Sequence, residues 1–157
     1  MNSTRYSLIL ILALALGCNS ATESTLDAFP IKASLQSNGV TFTLSLFRQT
    51  FNLLDSIEGR FQISNESGVL KRFDFGNLQQ LGFRLTDDSG NTALFQPLVV
   101  LPATSSLQLR NGESKEYNIL TVFKDHMGNN IAPKEYTLAA FLLNNNSPEV
   151  SLKITVK

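Results

Sequence analysis

Few residues in this 157-residue chain could do chemistry, and their types and spacing restrict that chemistry sharply. Cys18 is the only cysteine, His126 is the only histidine, and there is no tryptophan. A single cysteine excludes an intramolecular disulfide framework, and a single histidine beside it excludes a Cys/His zinc cluster. His126 lies in the polar stretch Lys124-Asp125-His126-Met127-Gly128. As a general base it would need a nucleophile and an orienting partner within hydrogen-bond reach, and neither is legible in the sequence, so it reads as an exposed turn residue. Asp87-Asp88-Ser89-Gly90-Asn91 offers oxygen ligands like the start of a calcium loop. An EF-hand loop would need Gly at its sixth position and Glu at its twelfth, where Thr92 and Leu98 stand, so the segment reads as a hairpin turn. Nearly every Asp and Glu falls in a turn or on the polar phase of a strand, the pattern of a solvated face rather than of paired catalytic carboxylates. No enzymatic activity, cofactor or metal is expected.

Cys18 carries the most specific signal. Residues 1–7 are short and polar with one positive charge at Arg5, and an unbroken apolar run of nine residues follows from Leu8 to Leu16. These are the n-region and h-region of an export signal. At about 1.5 Å per residue the run covers less than half of a roughly 30 Å hydrocarbon core, too short for a permanent transmembrane helix. It ends in Ala15-Leu16-Gly17-Cys18, which resembles a bacterial lipobox with Ala15 where Leu is commoner. That resemblance implies cleavage between Gly17 and Cys18 and diacylglycerol on the Cys18 sulfur, against the alternative of a chance cysteine near an ordinary signal-peptidase site. Two or more acyl chains give stable anchoring. Asn19, rather than Asp, follows the cysteine and favours the outer membrane of a diderm cell. Residues 18–28 read as the lipidated cysteine with a small, polar tether.

Charge and composition fit such a surface protein. The chain carries 13 basic and 13 acidic residues, and loss of Arg5 with the signal leaves 12 against 13. That balance excludes a basic nucleic-acid footprint and implies no attraction to anionic lipid. With 43% hydrophobic and 17% charged residues the remainder is able to fold.

The elements that must position any site are strands. Val40, Phe42, Leu44 and Leu46 alternate with polar residues, as do Leu81, Phe83 and Leu85, and Val150, Leu152, Ile154 and Val156. Such period-2 runs are half-buried strands. Turn signals separate them at Ser37-Asn38-Gly39, Asn65-Glu66-Ser67-Gly68, Asp87 to Asn91, Arg110-Asn111-Gly112 and Met127-Gly128-Asn129-Asn130. Residues 48–56 are ambiguous, no stretch shows convincing helical periodicity, and no internal repeat is evident. Residues 29–157 therefore read as one all-β domain, an immunoglobulin-like antiparallel β-sandwich preceded by a signal peptide. Its expected aromatic core is Phe61, Phe75, Phe83, Phe95, Tyr117, Tyr136 and Phe141.

Within it, Pro97-Leu98-Val99-Val100-Leu101-Pro102 is an apolar run bracketed by prolines. It reads either as a buried or edge strand ended by prolines, or as an exposed loop in which Leu98, Val99, Val100 and Leu101 insert into a partner. Asn144 to Pro148 reads as a solvated connector.

Phe61-Gln62-Ile63-Ser64-Asn65-Glu66-Ser67, Phe73-Asp74-Phe75 and Leu81 through Asn91 resemble the first half of the bacterial intracellular proteinase inhibitor (BsuPI) domain. Phe95-Gln96, Gly112-Glu113-Ser114 with Tyr117, and Ile131-Ala132-Pro133-Lys134-Glu135-Tyr136-Thr137 are similar to its second half, over residues 40–143 in all. Lys134 stands where that family has Gly before the tyrosine, so this turn must be built differently. The resemblance implies an Ig-like fold and, by its name, inhibition of a protease, with no inhibitory residue carried over. The expectation is a lipid-anchored, non-enzymatic Ig-like binding module at the bacterial cell envelope, joined to the membrane through Cys18 and engaging a protein partner. The alternatives are an inhibitor of a subtilisin-like serine protease and a structural accessory of an envelope complex.

Overall fold

A computed structural model describes residues 28–144 and 147–157. The signal peptide, Gly17, Cys18 and most of the tether lie outside the described residues, as do two asparagines of the connector before Pro148. Among the described residues the chain forms strands and no helix. They are β1 (Ile31–Ser37), β2 (Val40–Leu46), β3 (Thr50–Phe51), β4 (Ser56–Asn65), β5 (Lys71–Phe75), β6 (Leu81–Thr86), β7 (Thr92–Gln96), β8 (Ser105–Leu109), β9 (Ser114–Val122), β10 (Glu135–Leu142) and β11 (Val150–Val156).

One sheet has the order β1-β2-β4-β9 and the facing sheet β3-β11-β10-β6-β7, while β5 and β8 form a separate two-stranded ribbon. The fold is an all-β sandwich. Alternation decides which side faces in. Val40, Phe42, Leu44 and Leu46 pair with Asn65, Ile63, Phe61 and Gly59, and all eight are buried. The opposite sheet contributes Leu85, Tyr136, Leu138, Ala140, Ile154 and Val156. Phe73 of the ribbon meets Phe42 edge-on at 6.4 Å and extends the core beyond the two sheets. Gly59 lies between Leu46 and Ile119, where a Cβ would stand 2.8 Å from Leu46 Cδ2 and 2.9 Å from the Ser45 carbonyl oxygen. Glycine there lets β2, β4 and β9 close over one another.

The predicted turns are present. Asn38 and Gly39 take φ of 52° and 74°, the two left-handed positions of a type I′ hairpin between β1 and β2. The ambiguous interval holds a short strand, β3, which pairs with the end of β11 in parallel, whereas the other strand pairs are antiparallel. Arg48 reaches Asp55 at 3.1 Å across this bend. Phe51 is thereby buried against Phe123, with ring centroids 5.4 Å apart.

The expected aromatic core needs correction at three positions. Phe61, Phe75, Phe83 and Tyr136 are buried, but Phe95 is exposed, and Phe141 and Tyr117 are half-buried. Phe95 on β7 and Phe141 on β10 point outward on either side of β6 and pack on each other across it at 6.3 Å. Phe42, Phe51 and Phe123 fill the interior instead.

The strand registers give the sandwich two distinct ends. At one end the described chain begins beside Ile31 and Leu46, and Leu53 N–H donates to the Lys157 carbonyl at 3.2 Å. The β6–β7 and β9–β10 turns lie there too. At the other end lie the β1–β2 turn, the β10–β11 connector and the β7–β8 loop.

Candidate functional site

Proline has no N–H to give to a ladder, so strand pairing stops at Pro97: β7 ends at Gln96 and β8 begins at Ser105. The eight residues between form a loop. Leu98, Val99, Val100 and Leu101 are all exposed in it, Val99 by 73%. The reading of this run as a buried or edge strand is therefore overturned, because no strand pairs with it and its side chains face solvent.

The loop is nonetheless held in place. Leu101 N–H donates to Gln79 Oε1 at 2.9 Å, and the Leu101 carbonyl accepts from Leu78 N–H at 3.3 Å and from Ala103 N–H at 2.8 Å. Ser105 Oγ donates to the Asn77 carbonyl at 2.7 Å, and Gln80 Nε2 reaches Ser105 Oγ at 3.3 Å. Gln80 is held in turn by the Tyr117 hydroxyl, which donates to its Oε1 at 2.7 Å. Burial pushes the Tyr117 hydroxyl up to about 12, so it remains a donor throughout the physiological range. Residues 77–80, the β5–β6 connection, thus form a bracket under the loop.

Leu78 is itself exposed and hydrogen-bonded to Leu101, so five aliphatic side chains stand together at one place on the surface. An exposed apolar patch whose backbone is already ordered can meet a partner with little further loss of chain entropy. The four loop residues were legible as candidates from the sequence. Leu78, Gln79 and Gln80 were not, and the only signal was an apolar residue inside the polar stretch Gly76-Asn77-Leu78-Gln79-Gln80.

The other candidate residues come together at the opposite end. Asp87, Asn91, Asp125, His126, Lys134 and Tyr136 line an open cleft of about 340 Å³. Two five-residue turns of the same pattern, Asp-x-x-Gly-Asn, face it. Asp87 Oδ1 accepts from Ser89 and Asn91 N–H at 3.0 and 2.9 Å, and Asp125 Oδ1 accepts from Met127 and Asn129 N–H at 2.9 and 2.8 Å. Gly90 and Gly128 take φ of 83° and 86°.

Lys134 Nζ donates to Asp87 Oδ2 at 2.6 Å and, with the Asn91 amide, holds the carboxyl down to about 2. Asp125 is also lowered, first by the Asn129 backbone N–H. Both carboxylates are therefore committed to bracing their own turns. His126 is exposed, as its turn position predicted. Among the described residues, no three His, Cys, Asp or Glu side chains are grouped to hold a metal ion.

No family model and no curated protein matches the chain. Among solved structures, the sporulation control protein Spo0M from Bacillus subtilis is similar over 77% of this chain and 50% of its own length, at 10% identity and TM-score 0.50. A mutant β-glucosidase from Listeria innocua in complex with laminaribiose is similar over 79% of this chain and 16% of its own, at 17% identity and TM-score 0.46. A β-glucosidase from Erythrobacter marinus gives 80% and 16%, at 12% identity and TM-score 0.45. The chain thus spans half the length of Spo0M and about a sixth of each glucosidase. At such identities the Spo0M likeness bears on the fold alone. No helix among the described residues is long and apolar enough to cross a membrane.

Proposed function

We propose that this chain is a lipid-anchored, non-enzymatic Ig-like binding module of the bacterial cell envelope, and that its β7–β8 loop takes a protein partner. The observation that carries the reading is the exposed aliphatic group formed by Leu98, Val99, Val100, Leu101 and Leu78 on a hydrogen-bonded bracket. Single exposed apolar residues are ordinary, but four on an ordered loop with a fifth on the segment that braces it suit a binding surface. Anchoring rests on the sequence around Cys18.

Crosslinking in cells followed by affinity capture tests the partner. The wild-type chain retains a defined protein that a Val99→Asp, Leu101→Asp variant loses, and equal capture by both overturns the role of the loop. Cell fractionation of Cys18→Ala tests the anchor: release from the membrane fraction supports it, and unchanged membrane association overturns it.

A second reading, inhibition of a subtilisin-like serine protease, is favoured by the same loop. Its apolar side chains are exposed and its backbone is braced at Leu101 by Gln79, as a segment entering a protease cleft without being released would have to be. Stoichiometric inhibition across a panel of serine proteases supports this reading, and its absence leaves the binding module without a protease as partner.

A further inference from the structure

The end of the sandwich at which the described chain begins carries an apolar face of its own. Leu120 and Val122, on the edge strand β9, point away from the core and are 71% and 48% exposed. Their partners on β4 are Glu58 and Ser56. Phe47, 61% exposed, lines a small hollow with those same two residues. Leu54, 92% exposed, lies two positions before Ser56 on the bend after β3. The four side chains therefore surround one stretch of β4, and no element of the described chain covers them.

We infer that this face lies on the lipid bilayer to which Cys18 is attached, an inference that rests on the proposed lipid anchor. Two observations select lipid as the occupant. Phe29, at the start of the described chain, stacks under the Arg60 guanidinium at 5.0 Å on this same outer face of β4. Only nine residues separate Cys18 from Ala28, and a chain of nine residues spans at most about 30 Å even when fully extended. The acyl chains are thus held within about 30 Å of the point where the described chain begins, at the end of the sandwich that carries the apolar face.

The charges nearby do not select a lipid headgroup. Arg48 pairs with Asp55 and Arg60 with Glu116, which leaves Glu58 and Lys124, of opposite sign, beside the apolar residues. Contact is made by aliphatic and aromatic groups entering the headgroup boundary, as on an interfacial helix but presented from a sheet edge. With this end on the lipid, the Leu98 to Leu101 loop at the other end points away from it.

Because the chain has no tryptophan, single substitutions report position directly. Full-length Leu54→Trp, Leu120→Trp and Val99→Trp chains are expressed and processed in bacteria, checked for unchanged far-ultraviolet circular dichroism, and reconstituted in phosphatidylcholine vesicles brominated near the headgroup end of the acyl chains. The expected result is blue-shifted and quenched emission from positions 54 and 120 and unquenched emission from position 99. Chains that carry an acyl mass on Cys18 and float with the vesicles, yet show no quenching at 54 and 120, overturn the inference while leaving the anchor intact. Chains that lack the acyl mass sink the anchor. Quenching at 54 and 120 then still supports the face, and its absence overturns both. Emission from 54 and 120 already blue-shifted in detergent, together with a crosslinked dimer, assigns the face to a second copy and overturns the lipid assignment.

Discussion

Lys134 Nζ donates to Asp87 Oδ2 at 2.6 Å, tying the residue before β10 to the turn between β6 and β7. The entry into β10 and the β6–β7 turn are thus held to each other by an ion pair. The Lys134 side chain is 45% exposed, so solvent screens the pair and its contribution to stability is modest beside its fixing of two loops.

The pair gives a pH dependence with a definite sign. The Asp87 carboxyl is lowered from 3.8 to about 2, first by the Lys134 hydrogen bond. A carboxyl depressed by folding contributes stability above its ordinary value and loses it as pH falls through the folded one. The unfolding midpoint should therefore decline between 3.8 and about 2, and less steeply for Asp87→Asn than for the wild type. Lys134 is raised by the same bond, so its contribution fades only at strongly alkaline pH. Denaturant titrations of the two proteins across the acid range check the Asp87 limb, and titrations at strongly alkaline pH check the Lys134 limb.

Asn65 is wholly buried and every polar atom of its side chain is used. Its Nδ2 donates to the carbonyls of Val69 and Leu109 at 2.7 and 2.8 Å, and its Oδ1 accepts from Ser67 N–H and Oγ. Asn65→Asp replaces two donors by an oxygen facing two carbonyls. Leaving such groups unpaired costs on the order of 2–3 kcal/mol. Chemical denaturation should show a loss of that size that shrinks as the pH is lowered and the new carboxyl is protonated, whereas a pH-independent loss would assign the effect to shape.

Tyr136 buries its ring and donates its hydroxyl to the Ala132 carbonyl, four residues back, at 2.7 Å. This bond fixes the entry into β10 in the manner of a tyrosine corner. Tyr136→Phe should lower stability by about 1 kcal/mol, the net worth of one hydrogen bond, while Phe61→Ala in the centre of the core should cost about 3–5 kcal/mol. Thermal unfolding of the two variants ranks them, and equal losses would show that the corner carries more than its hydrogen bond.

The strands were legible because their physics is local. A residue at every second position faces the core, so Val40, Phe42, Leu44 and Leu46 announce β2 without any knowledge of β4, and Asn38-Gly39 announces the hairpin because few other residues take positive φ. Solvent exposure is not local in this way. Leu98 to Leu101 would have the same composition under a covering strand or in the open, and only the path of the chain between β7 and β8 decides it. Phe95 and Phe141 misled for a related reason, since an aromatic on a strand reads as core unless the register assigns it to the outer face. The bracket of Gln79 and Gln80 depends on contacts to Leu101 and Tyr117, 22 and 37 residues away, and leaves no mark on the residues next to it.

That bracket yields the last prediction. If Gln79 orders the loop through the Leu101 N–H, Gln79→Ala frees an amide that is already at the surface and buries nothing new. Global stability should then change by no more than about 0.5 kcal/mol, the usual range for a surface substitution. Exchange at the Leu101 amide should accelerate, while the amides of β2 and β4 keep their protection, because local opening and global unfolding are separate events. Amide hydrogen exchange by NMR measures both in one sample. Accelerated exchange confined to residues 98–103 would confirm that the loop is ordered from Gln79. The captured partner should then dissociate faster, since the freed loop must be ordered again in each complex. Unchanged exchange at Leu101 would show that the prolines at 97 and 102 order the loop by themselves.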